Sequence, residues 1–254
     1  MELSIIVLFF IVGSIFGSFY NVVGYRLPNG ESLLFPSSHC TKCKHKLTPL
    51  ELIPIFSFIF LGGKCKKCRE KISLFYPVIE LSSGVLFALC YIRYGFSVNC
   101  LISIVFISML LIIIVSDYLT MIIPDSVLIF FGILILLIRL IFFGIQNVAI
   151  ALVQGVCAFL FMLILKKLGD FLFKKESMGG GDIKLLGVFG ITIGFFVSVV
   201  AVFISAFIAL PISLITLKKN PTHEIPFGPY LAISAIILVL LGLDIDSIIN
   251  LITI

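Results

Sequence analysis

Long apolar runs separated by short polar segments dominate this chain. A helix needs about 20 apolar residues to cross a hydrocarbon core. Six such runs predict membrane-spanning helices at Leu3–Gly24, Leu74–Tyr94, Val98–Ser116, Met121–Phe143, Val148–Leu165 and Pro229–Asn250. A seventh run, Ile183–Leu217, holds 35 residues, and at about 1.5 Å per residue it exceeds a core of about 30 Å. We therefore predict two short spans there with a turn near Gly190 to Gly194, which makes eight spans.

Composition places the chain in the membrane class. Of its 254 residues, 61% are hydrophobic and 12% are charged, and the mean hydropathy is +1.27. An ordinary soluble domain is only about 45–50% apolar. We expect an all-α polytopic membrane protein with about eight transmembrane helices and a cytoplasmic zinc-binding loop between the first and second spans.

The basic residues predict the orientation of the spans. Residues 25–73 carry nine of the 18 Lys and Arg, which makes this segment cytoplasmic by the positive-inside rule. With eight spans, 16 basic residues face the cytoplasm and only Arg93 and Arg139 lie near the outer face. The N-terminal run has no basic region before it and no small-residue cleavage site after it, so we expect an uncleaved first span. The net charge of +5 then reflects topology, and we expect no nucleic-acid binding.

The cytoplasmic segment contains two Cys-x-x-Cys pairs, Cys40/Cys43 and Cys65/Cys68. This spacing is typical of a structural zinc site with four thiolate ligands. Two disulfides are the alternative, which a reducing cytoplasm disfavours. His39 or His45 replacing one cysteine is another alternative.

The same loop holds an apolar stretch, Leu47–Leu61, which Pro49 and Pro54 interrupt. It has 15 residues, too few for an ordinary span, so we predict an interfacial or re-entrant helix.

Two carboxylates lie at the ends of apolar runs. Asp117 follows the run Ile102–Val115 and opens a segment that ends at Asp125. Because Pro124 suits the first position of a helix, Asp125 falls in a first helical turn and is predicted to be structural. Asp117 is then expected to be the more exposed candidate for chemistry.

The second carboxylate, Asp182, ends the cluster Gly179-Gly180-Gly181. A flexible loop with an N-capping aspartate is one interpretation. However, carboxylates near membrane spans mark functional sites. Two neighbouring carboxylates do not both ionise easily, so the pair supplies a base to activate water and an acid to protonate a departing amide nitrogen. The chain has neither Gly-x-Ser-x-Gly nor His-Glu-x-x-His, so an aspartyl hydrolase fits its residues.

Six elements in order resemble the bacterial type IV prepilin peptidases. They are the opening motif Gly17–Pro28, the double Cys-x-x-Cys loop, Tyr76–Leu81, Asp117–Asp125, the motif Gly179-x-Gly181-Asp182-x-Lys184, and Pro226–Tyr230. The resemblance covers nearly the whole chain.

The resemblance implies a bifunctional enzyme of the bacterial cytoplasmic membrane whose active site faces the cytoplasm. Asp117 and Asp182 would be catalytic, supported by Gly179, Gly181, Lys184 and Asp125. The substrates would be type IV prepilins or pseudopilins, and S-adenosylmethionine would donate a methyl group to the new N-terminus. Gly63 and Glu80 are candidates for that second activity.

The implied organisation has three parts. Residues 1–24 form the first span, residues 25–73 the zinc loop associated with methylation, and residues 74–254 the peptidase core. The alternatives are a peptidase without methylation, a GxGD protease of the presenilin type, and a non-enzymatic transporter or assembly scaffold.

Overall fold

A computed structural model of the protein describes residues 2–174, 176, 178–219 and 226–242. Over these residues the chain is helical, and the only β-pairing consists of two isolated bridges in the cysteine loop. The helices are α1 (Glu2–Arg26), α2 (Phe56–Phe60), α3 (Phe75–Tyr94), α4 (Val98–Thr120), α5 (Asp125–Phe173), α6 (Gly180–Ile193), α7 (Phe195–Lys219) and α8 (Gly228–Leu241). One 3-10 turn, Pro49–Leu52, precedes α2.

Two glycines break the long apolar runs. Gly144, at φ 79° and ψ 176°, interrupts α5 between two of the predicted spans. Gly194, at φ 85°, separates α6 from α7, which confirms the break expected near Gly190 to Gly194. Both backbone conformations favour glycine because a Cβ would be strained there.

The membrane class is confirmed. Within the described residues five helices, α1, α3, α4, α5 and α7, are long and apolar enough to cross a membrane. α6 and α8, with 14 described residues each, are shorter. The predicted eighth span continues to Asn250, and its part beyond residue 242 lies outside the described residues. The count of eight crossings therefore stays a prediction.

Helix α4 is longer than its apolar run. It continues past Ser116 to Thr120, and α5 begins at Asp125 instead of the predicted Met121. Thr120 donates its hydroxyl to the carbonyl of Ser116 within the helix. Met121 adopts the left-handed conformation and donates its N–H to the carbonyl of Asp117, which ends the helix. The predicted boundaries were wrong here because polar residues continue the last turn.

The chain divides into two compact units, Met1–Phe96 and Ser97–Ile254. In the first, α1 packs against α3 through small residues. A Cβ on Gly13 would lie 2.6 Å from the carbonyl oxygen of Ser83, and one on Gly17 would lie 2.8 Å from Cα of Glu80. Such close backbone approach is typical of helix pairs in membranes.

Arg26, the last residue of α1, organises the start of the cysteine loop. Its side chain is buried, and its guanidinium donates hydrogen bonds to the carbonyls of Ser32, Leu33 and Pro36. This fixes the chain direction where it leaves the helix.

The second unit is built around α4, whose middle is buried on all sides. Phe106, Ile107, Met109, Leu110 and Ile113 are fully enclosed. The Phe106 ring meets that of Phe189 of α6 edge-on at 5.3 Å between centroids. An all-round apolar helix of this kind is expected at the centre of a bundle.

Helices α5 and α6 cross closely at glycines. A Cβ on Gly190 would lie 2.5 Å from the carbonyl oxygen of Gln154 and 2.7 Å from Cα of Gly155. At the far end of α6, Arg139 donates to the carbonyl of Thr192 over 2.7 Å and to the side chain of Asn147 over 2.8 Å. A cation there satisfies carbonyls that the helix end leaves unpaired.

Candidate functional site

Asp117 lies in the last turn of α4 and is buried, with 6% of its surface exposed. The prediction that Asp117 is more exposed than Asp125 is wrong, because the Asp125 side chain is 56% exposed. The extra helical turn and the start of α8 enclose Asp117, and neither was visible in the local sequence. A buried carboxylate is costly unless it finds partners.

The partner of Asp117 comes from α8. The backbone N–H of Gly228, the first residue of that helix, donates to Oδ2 of Asp117 over 3.0 Å. A Cβ on Gly228 would lie 2.6 Å from the same oxygen. Only glycine lets the backbone approach so closely, and the N-terminus of a helix favours a negative charge.

Asp182 lies in the first turn of α6, with 7% of its surface exposed. Its carboxylate accepts a hydrogen bond from the backbone N–H of Gly179, the N-cap residue, and it interacts electrostatically with Asp117. A side chain at the third helical position that bonds back to the N-cap is half of a capping box. The fold therefore brings together the two carboxylates that the sequence separates by 65 residues.

Ile123 lies between the first turns of α6 and α8. A Cβ added to Gly181 would lie 2.9 Å from Cβ of Ile123, and one added to Gly228 would lie 3.2 Å from Cδ1 of Ile123. Gly181 is therefore needed for close packing, and Ile123 sets the spacing between the first turns of α6 and α8.

Asp125 and Lys184 join the starts of α5 and α6. Nζ of Lys184 donates to both carboxylate oxygens of Asp125, at 2.8 and 2.6 Å. About half of each side chain is exposed, so water screens the pair. The pair joins the starts of two helices, and a supporting role for both residues stays a prediction.

The four loop cysteines form one cluster, with all four Sγ atoms within 4.8 Å of one another. Sγ of Cys40 lies 3.7 Å from that of Cys68, and Sγ of Cys43 lies 3.9 Å from that of Cys65. Sulfurs at the corners of a zinc tetrahedron with bonds of about 2.3 Å are about 3.8 Å apart. The thiols are free, and a disulfide requires about 2.05 Å. The cluster thus has the size that a tetrahedral metal site needs.

The two cysteine pairs have the same local structure. Each first cysteine, Cys40 or Cys65, donates its N–H to the carbonyl five residues later, and its own carbonyl accepts from the residue four positions on. That fourth residue has a positive φ in both turns, 57° at Lys44 and 58° at Arg69. Two equivalent turns present two sulfurs each to a common centre.

Backbone N–H groups, desolvation and the neighbouring sulfurs shift the pKa values of two cluster thiols in opposite directions. Backbone N–H groups of Cys43 and Lys42 lower the pKa of Cys40 to about 6. At Cys68 the Glu70 N–H acts in the same direction, but desolvation and the three neighbouring sulfurs outweigh it and raise the pKa to about 11. A cation bound among the four sulfurs would favour their thiolate forms.

Gly63 and Glu80 take different positions around this loop. Gly63, at φ 67°, lies two residues before Cys65, and a Cβ on it would lie 2.9 Å from the ring of Phe58. Glu80 lies in α3, where Oε2 accepts the backbone N–H of Ile55 over 2.7 Å. Neither contact by itself defines a methyl-donor site.

Comparison with known proteins identifies the family. Residues 11–94 match the bacterial peptidase A24 N-terminal domain, and residues 104–214 match the type IV leader peptidase family. A Bacillus subtilis protein named prepilin leader peptidase/N-methyltransferase is 38% identical over 244 residues, which cover 95% of both chains. The chain belongs to the type IV leader peptidase family. A protein of the same name from Neisseria gonorrhoeae is 33% identical over 88% of this chain and 86% of its own length. Another from Pseudomonas putida is 30% identical over 91% of this chain and 89% of its own length. No solved structure matches it significantly.

Sequence reasoning assigned no role at this candidate site to Gly228 or Ile123. The segment Pro226–Tyr230, which contains Gly228, was noted only as one of the six elements that resemble the family. Its signal was a glycine between Phe227 and Pro229, but only the fold reveals that its N–H meets Asp117. Ile123 has no distinguishing signal, since apolar residues surround it.

Proposed function

We propose that this protein is a membrane-embedded aspartyl endopeptidase that removes the leader from type IV prepilins and related pseudopilins, then N-methylates the new N-terminal residue with S-adenosylmethionine. One observation carries the proposal: two buried, electrostatically interacting carboxylates, Asp117 and Asp182, in a chain of the type IV leader peptidase family. The relatives' names give both activities.

Peptide cleavage needs one proton shared by the two carboxyl groups. The ionised carboxylate takes a proton from water as the water oxygen attacks the scissile carbonyl carbon. The other carboxyl group then gives its proton to the amide nitrogen as the C–N bond breaks. The products are the leader's new carboxylate and a free α-amine on the mature chain.

Positioning of the dyad comes from the backbone. The Asp117 carboxylate accepts a hydrogen bond from the backbone N–H of Gly228, and the Asp182 carboxylate accepts one from the backbone N–H of Gly179. Each bond holds one carboxylate in place and leaves acceptor capacity for water or for the shared proton. Two further features support the helix starts near the dyad. Ile123 and Gly181 pack together where α6 and α8 begin, and the Lys184–Asp125 pair joins the starts of α5 and α6.

The cysteine cluster would hold a structural zinc ion through Cys40, Cys43, Cys65 and Cys68. The sulfur separations suit tetrahedral coordination, and four cysteine ligands leave no open position for chemistry. Zinc would supply folding energy to a loop that buries little apolar surface. Methylation of the α-amine would depend on this loop, with Gly63 and Glu80 as candidates carried by the family resemblance.

The enzyme would lie in the bacterial cytoplasmic membrane with its dyad at the cytoplasmic face. Nine basic residues in residues 25–73 support that orientation. A prepilin with a basic leader in the cytoplasm and an apolar helix in the bilayer would then present its cleavage junction at the level of the dyad.

Mass spectrometry of a prepilin incubated with purified protein in detergent, with and without S-adenosylmethionine, tests both activities. We expect loss of the leader in both reactions and a gain of about 14 Da, one methyl group, only with the donor. Cleavage without that gain would support the peptidase-only alternative. An uncut prepilin, incubated with folded enzyme, would refute the proposal.

A further inference from the structure

The segment between the two cysteine pairs contains a strained turn. Ile55 has φ 66° and ψ −55°, and Phe56 donates its N–H to the carbonyl of Pro54 over 2.6 Å. This is a γ-turn with a positive φ at its centre, a rare conformation that a β-branched residue adopts only when its surroundings impose it. It reverses the chain between the 3-10 turn Pro49–Leu52 and α2.

Glu80 holds this turn. Its Oε2 accepts the N–H of Ile55 over 2.7 Å, which satisfies a backbone group at the tip of the turn. Ser18 of α1 donates its hydroxyl to the same carboxylate. The tip of the segment is thus tied to two helices that are each long and apolar enough to cross a membrane.

The positions of these contacts give the depth of the turn. Glu80 is five residues inside the start of α3 at Phe75, about 7.5 Å along the helix. Ser18 is eight residues from the end of α1 at Arg26, about 12 Å. Ile55 therefore lies level with the interior of both helices and not with their ends.

At that depth α2 exposes one apolar face. Phe56, Ile59 and Phe60 share it at helical spacing and are 58%, 63% and 84% exposed. The other side is occupied, since the ring of Phe58 faces Gly63. Irregular backbone is tolerated at membrane depth only where its polar groups have hydrogen-bond partners. Glu80 provides such a partner for the backbone N–H of Ile55.

We propose that residues 47–61 form a re-entrant hairpin that enters the cytoplasmic leaflet, with Glu80 as its anchor and lipid acyl chains covering Phe56, Ile59 and Phe60. Basic side chains of the adjoining cysteine turns then lie near the headgroups, where anionic lipids complement their charge. They include Lys42, Lys44, Lys66, Lys67 and Arg69. The hairpin goes beyond the peptidase activity and does not depend on it.

Tryptophan fluorescence tests the insertion, because the chain contains no tryptophan. Full-length Phe60→Trp protein is placed in proteoliposomes whose lipids are brominated in the acyl chains. The control variants are Phe203→Trp in the apolar helix α7 and Lys66→Trp in a cysteine turn. We expect acyl-chain bromine to quench Phe60→Trp at least about twofold more than Lys66→Trp, and nearly as much as Phe203→Trp.

Equal quenching of Phe60→Trp and Lys66→Trp would overturn the proposal. A blue-shifted but unquenched Phe60→Trp would overturn it too, because protein would then cover the face. Omitting anionic lipid should leave the quenching of Phe203→Trp unchanged and weaken that of Phe60→Trp.

The anchor is tested in the Phe60→Trp background with Glu80→Gln, which keeps an acceptor oxygen, and Glu80→Ala, which removes it. Glu80→Gln should retain the quenching, and Glu80→Ala should reduce it toward the value of Lys66→Trp. Retention of metal by both variants would establish that the cysteine turns are folded. Unchanged quenching in Glu80→Ala would show that Glu80 does not anchor the hairpin.

Discussion

The backbone N–H of Gly228 donates a hydrogen bond to Oδ2 of Asp117 over 3.0 Å, across 111 residues of sequence. The same glycine begins α8, so the positive end of a helix dipole faces a buried carboxylate. This contact connects the segment around residue 228 to the proposed chemistry. It also explains why no side chain fits at that position.

Replacing Gly228 with alanine should slow cleavage. The new Cβ would lie 2.6 Å from Oδ2 of Asp117, so the carboxylate or the helix start must move. Losing a hydrogen bond to a charged group costs about 1.5–3 kcal/mol, or about 10- to 100-fold in rate. We expect the loss in kcat with little change in KM, measured by prepilin cleavage.

Gly132→Ala is the matched control for Gly228→Ala. A Cβ at position 132 would meet only Cγ2 of Val188, at 3.8 Å. This variant should cleave like the wild type. Equal rates for the two alanine variants would contradict a positioning role for Gly228.

Replacing Gly190 with alanine should destabilise the second unit. Its Cβ would lie 2.5 Å from the carbonyl oxygen of Gln154, where α5 and α6 cross. Overpacking of this kind costs about 1–3 kcal/mol. Thermal unfolding in detergent should show a lower midpoint for Gly190→Ala. Gly187→Ala on the same helix, with its nearest contact at 3.5 Å, should unfold almost like the wild type.

Removing a cluster cysteine should release the metal. We expect about one zinc per chain in the wild type and much less in Cys40→Ser or Cys65→Ser, measured by elemental analysis. Methylation should fall with zinc content. Cys157→Ser is the control, because Cys157 is exposed and lies outside the cluster. Full zinc content in both cluster variants would contradict the four-thiolate assignment.

The Lys184–Asp125 pair should contribute little by itself. Exposed ion pairs are worth about 0–1 kcal/mol, so Lys184→Gln should slow cleavage by no more than about fivefold. A double-mutant cycle with Asp125→Asn measures their coupling, which we expect to be below about 1 kcal/mol. A much larger coupling would mean that the pair sets the position of Asp182.

Sequence alone predicted most of the helices because apolar length and glycine position decide them. A run of 35 apolar residues is longer than one membrane crossing needs, which predicted the helix break found at Gly194. The four-cysteine cluster was predictable because the two-residue spacing within each pair lets both sulfurs reach one metal ion.

The surroundings of Asp117 were not predictable in this way. Its burial depends on a helical turn continued by polar residues and on the start of α8, far along the chain. The capping of α6 by Arg139 and the spacing role of Ile123 likewise depend on contacts between distant segments. Local pattern carries no information about such partners.

Leader cleavage by Asp117→Asn and Asp182→Asn, compared with the wild type and Asp125→Asn, tests the central claim most directly. Each variant keeps the size of the side chain and removes a titratable carboxyl group. We predict that both dyad variants lose at least about 10³-fold in rate, because each removes general acid–base catalysis, while exposed Asp125→Asn retains most of the activity. If folded Asp117→Asn or Asp182→Asn cleaves a prepilin like the wild type, the proposed aspartyl mechanism is wrong.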